Sequence, residues 1–151
     1  FTHIACFHPC SFVIVLPYLF AFLANKDSTI IGALELSSLF PQYQFRKCLE
    51  LTSDTSYLII SVPTVLRVLF DSLDAELTHA HIISCGEPLD IALAKRLFSF
   101  KPLSFFNLYG STEVSPWILS LNILEYFLSM ADISDIPPIL PAGSPLPHAT
   151  W

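Results

Sequence analysis

The chain has 151 residues and a net charge of −6, with 53% hydrophobic and only 13% charged residues. This length is enough for one modest unit with a buried core. The acidic balance leaves no basic patch to follow a phosphate backbone, so nucleic-acid binding is disfavoured. The apolar excess is typical of a membrane protein or of a piece from the middle of a larger protein. The ends, Phe1 and Trp151, favour the second interpretation.

The first 25 residues contain no Lys, Arg, Asp or Glu, and residues 11–24 are almost wholly apolar. A signal peptide would need a basic start. A membrane-spanning helix needs about 20 apolar residues, and the turn-prone residues 8–11 leave fewer than that. We predict a strand followed by a buried helix here, while a membrane anchor in 1–25 remains the alternative.

The cysteines and histidines offer a weak metal hypothesis. The four cysteines are Cys6, Cys10, Cys48 and Cys85. They form no C-x-x-C pair, which disfavours a disulfide scaffold and favours a reducing cytosol. The first two lie close to His3 and His8 and could bind zinc with them. Because these two histidines and two cysteines alternate along an apolar run, we interpret them as buried side chains of a strand.

Short apolar runs alternate with helical patterns along the rest of the chain. Strands are predicted at 28–34, 57–61, 81–84 and 104–108. Helical patterns are predicted at 44–53, from Pro63 onwards, and from an N-cap at Asp90 to Phe98. The alternation predicts an α/β fold: a mainly parallel sheet with helices on both faces. Residues 117–130 fit either a helix or an irregular strand.

Two polar, glycine-containing loops follow predicted strands, at 85–88 and 109–113. Parallel sheets bind ligands beyond the carboxyl ends of their strands, so these loops are candidate binding segments. In the second loop, the Tyr109 ring could stack on a purine. The Asn107 amide could both donate to and accept from a base edge.

The remaining residues of this segment suit a bound nucleotide. Gly110 allows close backbone approach, Thr112 offers a hydroxyl to a phosphate, and Glu113 offers a carboxylate to Mg²⁺. The same residues are also typical of a strand followed by a turn and the start of a helix, with Ser111 or Thr112 as the N-cap. On spacing alone, that structural interpretation is favoured.

A resemblance to a known family changes this balance. Residues 106–114 resemble the N-x-Y-G-x-T-E motif of the adenylate-forming superfamily: acyl-CoA synthetases, firefly luciferases and nonribosomal peptide synthetase adenylation domains. Further segments are similar to this family in the same order: Ser11-Phe12, Val62–Leu66, Ser84–Leu89 and Pro141–Leu146. Residues 112–117, with Cys85–Leu89, are most similar to the β-alanine-activating and ebony-like branch.

The resemblance implies roles for individual residues. Thr112 and Glu113 would be catalytic, with Glu113 also binding Mg²⁺. The nucleotide site would consist of Gly86, Glu87, Asn107, Tyr109, Gly110, Ser111 and Thr112. The acyl pocket would consist of Val13, Ile14, Ile60, Ile83, Cys85, Leu108 and Trp117. Because none of these pocket residues is charged, we expect an apolar acid as substrate.

The implied reaction is attack of a carboxylate on the α-phosphate of ATP, followed by acyl transfer to the thiol of CoA or phosphopantetheine. The family's glycine-rich phosphate loop, ribose-binding aspartate and catalytic lysine are missing from these residues. We therefore expect this portion of a ligase to be inactive by itself. Its expected partners are ATP, a carboxylic acid and a carrier domain, and its expected location is the cytoplasm. Residues 1–151 would form a partial AMP-binding domain, with 132–151 a proline-rich connecting stretch. A non-catalytic scaffold remnant and a small membrane-anchored protein are the alternatives.

Overall fold

The computed structural model describes residues 3–6, 29–33, 55–71, 73–74, 76–111, 113, 115–130, 132 and 136–147. The strands are β1 (His3–Cys6), β2 (Thr29–Ala33), β3 (Tyr57–Ser61), β4 (Ala80–Cys85), β5 (Ser104–Ser111), β6 (Ser115–Asn122) and β7 (Ser144–Pro145). The helices within these ranges are α1 (Pro63–Phe70), α2 (Ile91–Ser99) and α3 (Ile123–Ser129).

The strands form one sheet in the order β2-β1-β3-β4-β5-β6-β7. The five strands β1 to β5 pair in parallel, whereas β6 is antiparallel to β5 and β7 is antiparallel to β6. The predicted mainly parallel α/β fold is confirmed, and the four predicted strands correspond to β2, β3, β4 and β5. The β5 strand therefore carries parallel and antiparallel neighbours on its two sides.

The helices that follow β3 and β4 begin where the sequence predicts. Pro63 occupies the first turn of α1, where its missing N–H costs nothing. Asp90 caps α2: one of its carboxylate oxygens accepts a hydrogen bond from the Leu93 backbone N–H at 3.0 Å. These starts direct both helices back over the sheet.

The main core lies between the sheet and the described helices. Ile59, Ile82 and Phe105 point from three adjacent strands toward the helices and are fully buried. Leu66 of α1 and Leu97 of α2 pack against them, also fully buried. Burying each such side chain stabilises the fold by about 1.5–3 kcal/mol.

A second apolar cluster occupies the other face of the sheet. It consists of Leu58, Ile60, Cys85 and Leu108, with Ile83, Phe106 and Trp117 packed against them. Among the residues that the structure describes, no helix contributes to this cluster. The predicted helix at 44–53, and the apolar run at 11–24, lie outside the described residues.

The structure around the β5–β6 turn and after it decides two predictions that the sequence left open. Residues 117–130 form a strand and a helix in succession, with the change at Asn122, whose side chain accepts a hydrogen bond from the Glu125 N–H at 3.4 Å. The helix-cap interpretation of Ser111 is wrong, because β5 continues to that residue and pairs it with Ser115 of β6. A β-hairpin therefore stands where that interpretation placed the start of a helix.

The proline-rich stretch packs against this hairpin. The Leu146 N–H donates to the carbonyl of Ile118 at 2.9 Å, next to the short edge strand β7. An edge strand tolerates Pro145 because proline has no N–H to give to a further strand. Ile136 and Leu140 are buried in the main core, so the described part of this stretch belongs to the folded unit.

Candidate nucleotide-binding cleft

A cleft of about 260 Å³ opens beyond the carboxyl ends of β4 and β5. Its lining residues are Gly86, Glu87, Pro88, Leu89, Asn107, Leu108, Tyr109, Gly110, Ile139, Leu140 and Ala142. The structure thus brings together five residues that sequence reasoning assigned to a nucleotide site: Gly86, Glu87, Asn107, Tyr109 and Gly110. They converge because parallel neighbours end at the same edge of the sheet.

The first wall of the cleft is the turn after β4. Gly86 has a φ of +79°, a left-handed conformation that favours glycine. This turn leads the chain from β4 through Pro88 to the buried Leu89 and the α2 cap. The turn is exposed to solvent and faces the end of β5 across the cleft.

The second wall of the cleft, residues 138–142, was missed by sequence reasoning. Two backbone hydrogen bonds hold it against the first wall: Leu140 N–H to the Leu89 carbonyl and Ile91 N–H to the Pro138 carbonyl, both 2.9 Å. The P-x-G-x-P similarity at 141–145 was the available signal, but nothing in it indicates which strand end this segment meets.

Asn107 is a buried side chain of the cleft with one unused hydrogen-bond acceptor. It is only 6% exposed, and its Nδ2 donates to the Pro141 carbonyl at 3.5 Å. Its Oδ1 is buried and accepts no hydrogen bond from the residues that the structure describes. A buried acceptor without a partner costs about 1–3 kcal/mol, so such atoms usually meet water or a ligand. Beside it, Tyr109 is 53% exposed, which leaves its ring free for stacking.

A row of small polar side chains extends from Asn107 across the sheet. Ser84 of β4 pairs in register with Asn107, and Ser61 of β3 pairs with Ser84. Both serines are fully buried, and neither hydroxyl has a hydrogen-bond partner within the described ranges. Sequence reasoning missed them, although each is a polar residue at the carboxyl end of an apolar strand. The row places two buried hydroxyls in register with Asn107 on the two neighbouring strands.

The turn between β5 and β6 carries the candidate metal ligand. Glu113 is exposed, and a hydrogen bond from its own backbone N–H, with a second from the Ser111 hydroxyl, lowers the pKa of its carboxyl. A charged carboxylate fits Mg²⁺, which is bound through one or two carboxylates together with phosphates and water. No cluster of three or more potential metal ligands occurs in the part of the chain that the structure describes. Thr112 lies outside the described residues.

The residues predicted for the acyl pocket divide into two groups. Five of them, Ile60, Ile83, Cys85, Leu108 and Trp117, lie together in the apolar cluster on the second face of the sheet. Leu108 also lines the cleft, so cluster and cleft adjoin. Burial raises the pKa of the Cys85 thiol to about 12, although a hydrogen bond with Trp117 lowers it. The thiol is therefore protonated at neutral pH. Val13 and Ile14 lie outside the described residues.

The zinc-site and membrane-anchor hypotheses concern the N-terminal segment, most of which lies outside the described residues. The side chains of His3 and Cys6, and all of His8 and Cys10, fall outside what the structure describes. The same holds for most of residues 1–25, where a membrane anchor was the alternative. Among the helices described, none has the length and apolar character needed to cross a membrane.

Comparison with solved structures identifies the architecture. The chain has the fold of part of an adenylate-forming enzyme, which confirms the resemblance at the level of fold. Superposition on a four-domain nonribosomal peptide synthetase bound to AMP and glycine gives a TM-score of 0.73 at 23% identity, covering 96% of this chain and 10% of that chain.

Two further matches are MenE proteins from two bacteria. O-succinylbenzoate coenzyme A synthetase from Bacillus subtilis, in complex with ATP and magnesium, gives a TM-score of 0.70 at 18% identity, over 95% of this chain and 27% of that chain. Wild-type MenE from E. coli, with a bound m-phenylether-linked analogue of OSB-AMS, gives a TM-score of 0.61 at 18% identity, over 96% of this chain and 27% of that chain. The chain thus spans between a tenth and about a quarter of these proteins. The sequence matches no family model, and no curated protein matches it.

Proposed function

We propose that the cleft binds the adenine ring of ATP, and that the chain is part of an AMP-forming ligase that activates a carboxylic acid. The observation that carries this proposal is the buried, unpartnered Oδ1 of Asn107 beside the exposed ring of Tyr109. The exocyclic amine of adenine donates a hydrogen bond to that oxygen while the ring stacks on Tyr109. The structures of the AMP-bound synthetase and the ATP-bound ligase support the assignment.

The orientation of the Asn107 amide supports adenine over guanine. Its Nδ2 donates to the Pro141 carbonyl, which leaves Oδ1 as the amide atom whose hydrogen-bonding capacity is unused. Guanine would present a carbonyl oxygen where adenine presents an amine. Two facing acceptors cannot form a hydrogen bond, so guanine binding would leave both unsatisfied at a cost of about 1–3 kcal/mol.

The size of the cleft supports a base rather than a whole nucleotide inside it. Its volume of about 260 Å³ is slightly below the range of roughly 300–1,000 Å³ for small-molecule sites. The ribose and phosphates therefore extend along the β5–β6 turn. There Ser111 and Thr112 would contact the α-phosphate, and Glu113 would hold Mg²⁺, which supplies neutralisation of phosphate charge.

In the whole protein, the carboxylate substrate attacks the α-phosphate, giving an acyl-adenylate and pyrophosphate. The apolar cluster around Ile60, Cys85 and Leu108 would receive the acyl group, which favours a carboxylic acid whose remaining atoms are apolar and carry no further charge. The thiol of CoA or of carrier-bound phosphopantetheine then attacks the acyl carbon, forming a thioester and releasing AMP. This chain's part is to bind and orient the nucleotide, and positioning of this kind contributes much of the rate in such reactions.

Equilibrium binding tests the proposal without requiring turnover. We expect the 151-residue chain to bind AMP and ATP saturably, and GMP and GTP about tenfold more weakly or worse. Asn107→Leu should abolish the preference for adenine, because it removes the acceptor. Equal affinity for AMP and GMP, or no binding of either, would contradict the proposal.

A further inference from the structure

The turn that forms the first wall of the cleft is attached to the start of α1. Glu87 Oε2 accepts two hydrogen bonds from Thr64, one from the backbone N–H at 3.0 Å and one from the hydroxyl at 2.6 Å. The two residues are 23 positions apart. Hydrogen bonds to a charged carboxylate are roughly twice as strong as neutral ones.

The contact satisfies the N-terminus of α1. The first N–H groups of a helix have no partner within it, and the N-cap of α1 is Val62, which makes no side-chain cap hydrogen bond. The first turn of α1 also contains no acidic residue. The Glu87 carboxylate therefore supplies from across the fold the acceptor and negative charge that a helix N-terminus favours.

The position of this turn determines the rest of the cleft. Shortly after Glu87, the backbone of Leu89 and Ile91 holds the second wall of the cleft, residues 138–142, through the two 2.9 Å hydrogen bonds to Leu140 and Pro138. The next residue of that wall, Pro141, accepts the hydrogen bond that orients the Asn107 amide. A displacement of the turn would thus change the orientation of the Asn107 amide, whose Oδ1 accepts the hydrogen bond from the base.

From this chain of contacts we infer that Thr64 is a positioning residue for the nucleotide cleft, acting through Glu87. The inference rests on the proposed function, since it concerns the affinity of that same cleft. When the contact is lost, the turn leaves its binding position for part of the time. The apparent dissociation constant then rises in inverse proportion to the fraction of chains with the turn in place.

Two conservative substitutions at Thr64 test the inference, with AMP binding and urea unfolding as readouts. Thr64→Val keeps the backbone N–H and the branched shape but removes the hydroxyl, and should weaken AMP binding about fivefold. Thr64→Ser returns the hydroxyl and should recover most of the affinity. Thr78→Val is the matched control, since Thr78 is exposed, precedes β4 and does not line the cleft.

A double-variant cycle separates this role from direct contact between Glu87 and the ligand. If Thr64 acts through Glu87, Thr64→Val should add little to the loss caused by Glu87→Met, which keeps the length of the side chain but removes the acceptor. Wild-type AMP affinity in Thr64→Val, failure of Thr64→Ser to recover, or additive losses would overturn the inference while leaving the proposed function intact. A wild-type chain that binds no AMP would overturn both.

Discussion

Gly143 packs directly on the backbone of Ser120: a Cβ on Gly143 would lie 2.0 Å from the Ser120 carbonyl oxygen. Gly143 also has a φ of +97°, which side chains rarely adopt. The contact lies where the proline-rich stretch joins β6, since Ser120 pairs in register with Ser144. A residue larger than glycine therefore cannot take this position without separating the two segments.

We expect Gly143→Ala to lower the free energy of unfolding by more than the 1–2 kcal/mol or so of a left-handed backbone alone, because the clash adds to it. Urea unfolding measures the change. Ser144→Ala is the control: this neighbour is exposed, so its effect should stay within about 0.5 kcal/mol. Equal stability of the two variants would show that the stretch does not pack on β6.

Asp90 combines two roles that substitution can separate. It caps α2 through the Leu93 N–H, and its other oxygen forms an ion pair with Arg67 of α1. Asp90→Asn keeps the cap but loses the ion pair, which is partly exposed and should be worth at most about 1 kcal/mol. Asp90→Ala also loses the cap, so its free energy of unfolding should be lower by about 1 kcal/mol more. Indistinguishable variants would contradict the capping role.

Tyr109 should contribute to nucleotide affinity through its ring rather than its hydroxyl. Tyr109→Leu removes the stacking surface and should weaken AMP binding by about 1–3 kcal/mol. Tyr109→Phe retains the ring and should bind nearly as well as the wild type. Isothermal titration of AMP into both variants measures the difference. If Phe and Leu are equally damaging, the base does not stack on this residue.

His81 should make stability depend on pH below neutrality. Its Nδ1 lies 2.8 Å from the Ser104 hydroxyl oxygen and its Nε2 lies 3.0 Å from that of Ser56. Burial lowers the pKa of the imidazole from its ordinary value of 6.5. The unfolded chain therefore takes up a proton first as pH falls, so this contribution to stability is present above pH 6.5 or so and is lost as pH drops through the folded value.

The measurement is the free energy of unfolding between about pH 7.5 and pH 5.5, above the range where carboxylates titrate. The wild type should lose stability as pH falls across this window, and His81→Gln should lose less. His79→Gln is the matched control, because His79 is exposed. An identical pH profile for wild type and His81→Gln would exclude a perturbed His81.

Much of the parallel sheet could be predicted because its signals are local. The runs 57–61, 81–84 and 104–108 are short, apolar and bounded by polar or proline-containing turns, which is typical of buried parallel strands. The N-cap at Asp90 is equally local. Residues 117–130 carry a weaker local boundary: Asn122 caps α3, but aliphatic residues lie on both sides of it, and the pairing of β6 with β5 is what makes the residues before it a strand.

Sequence patterns were enough to predict which loops follow the strand ends, and hence that Gly86, Glu87, Asn107 and Tyr109 would lie near one another. The segments that complete the cleft could be found only from how the chain packs in three dimensions. The wall at 138–142 is about 50 residues along the chain from the turn it contacts, and Thr64 is 23 residues from Glu87. Such contacts leave no periodic pattern in the sequence, because they depend on how helices and strands pack, whereas the periodicity of each element reflects only its own backbone geometry.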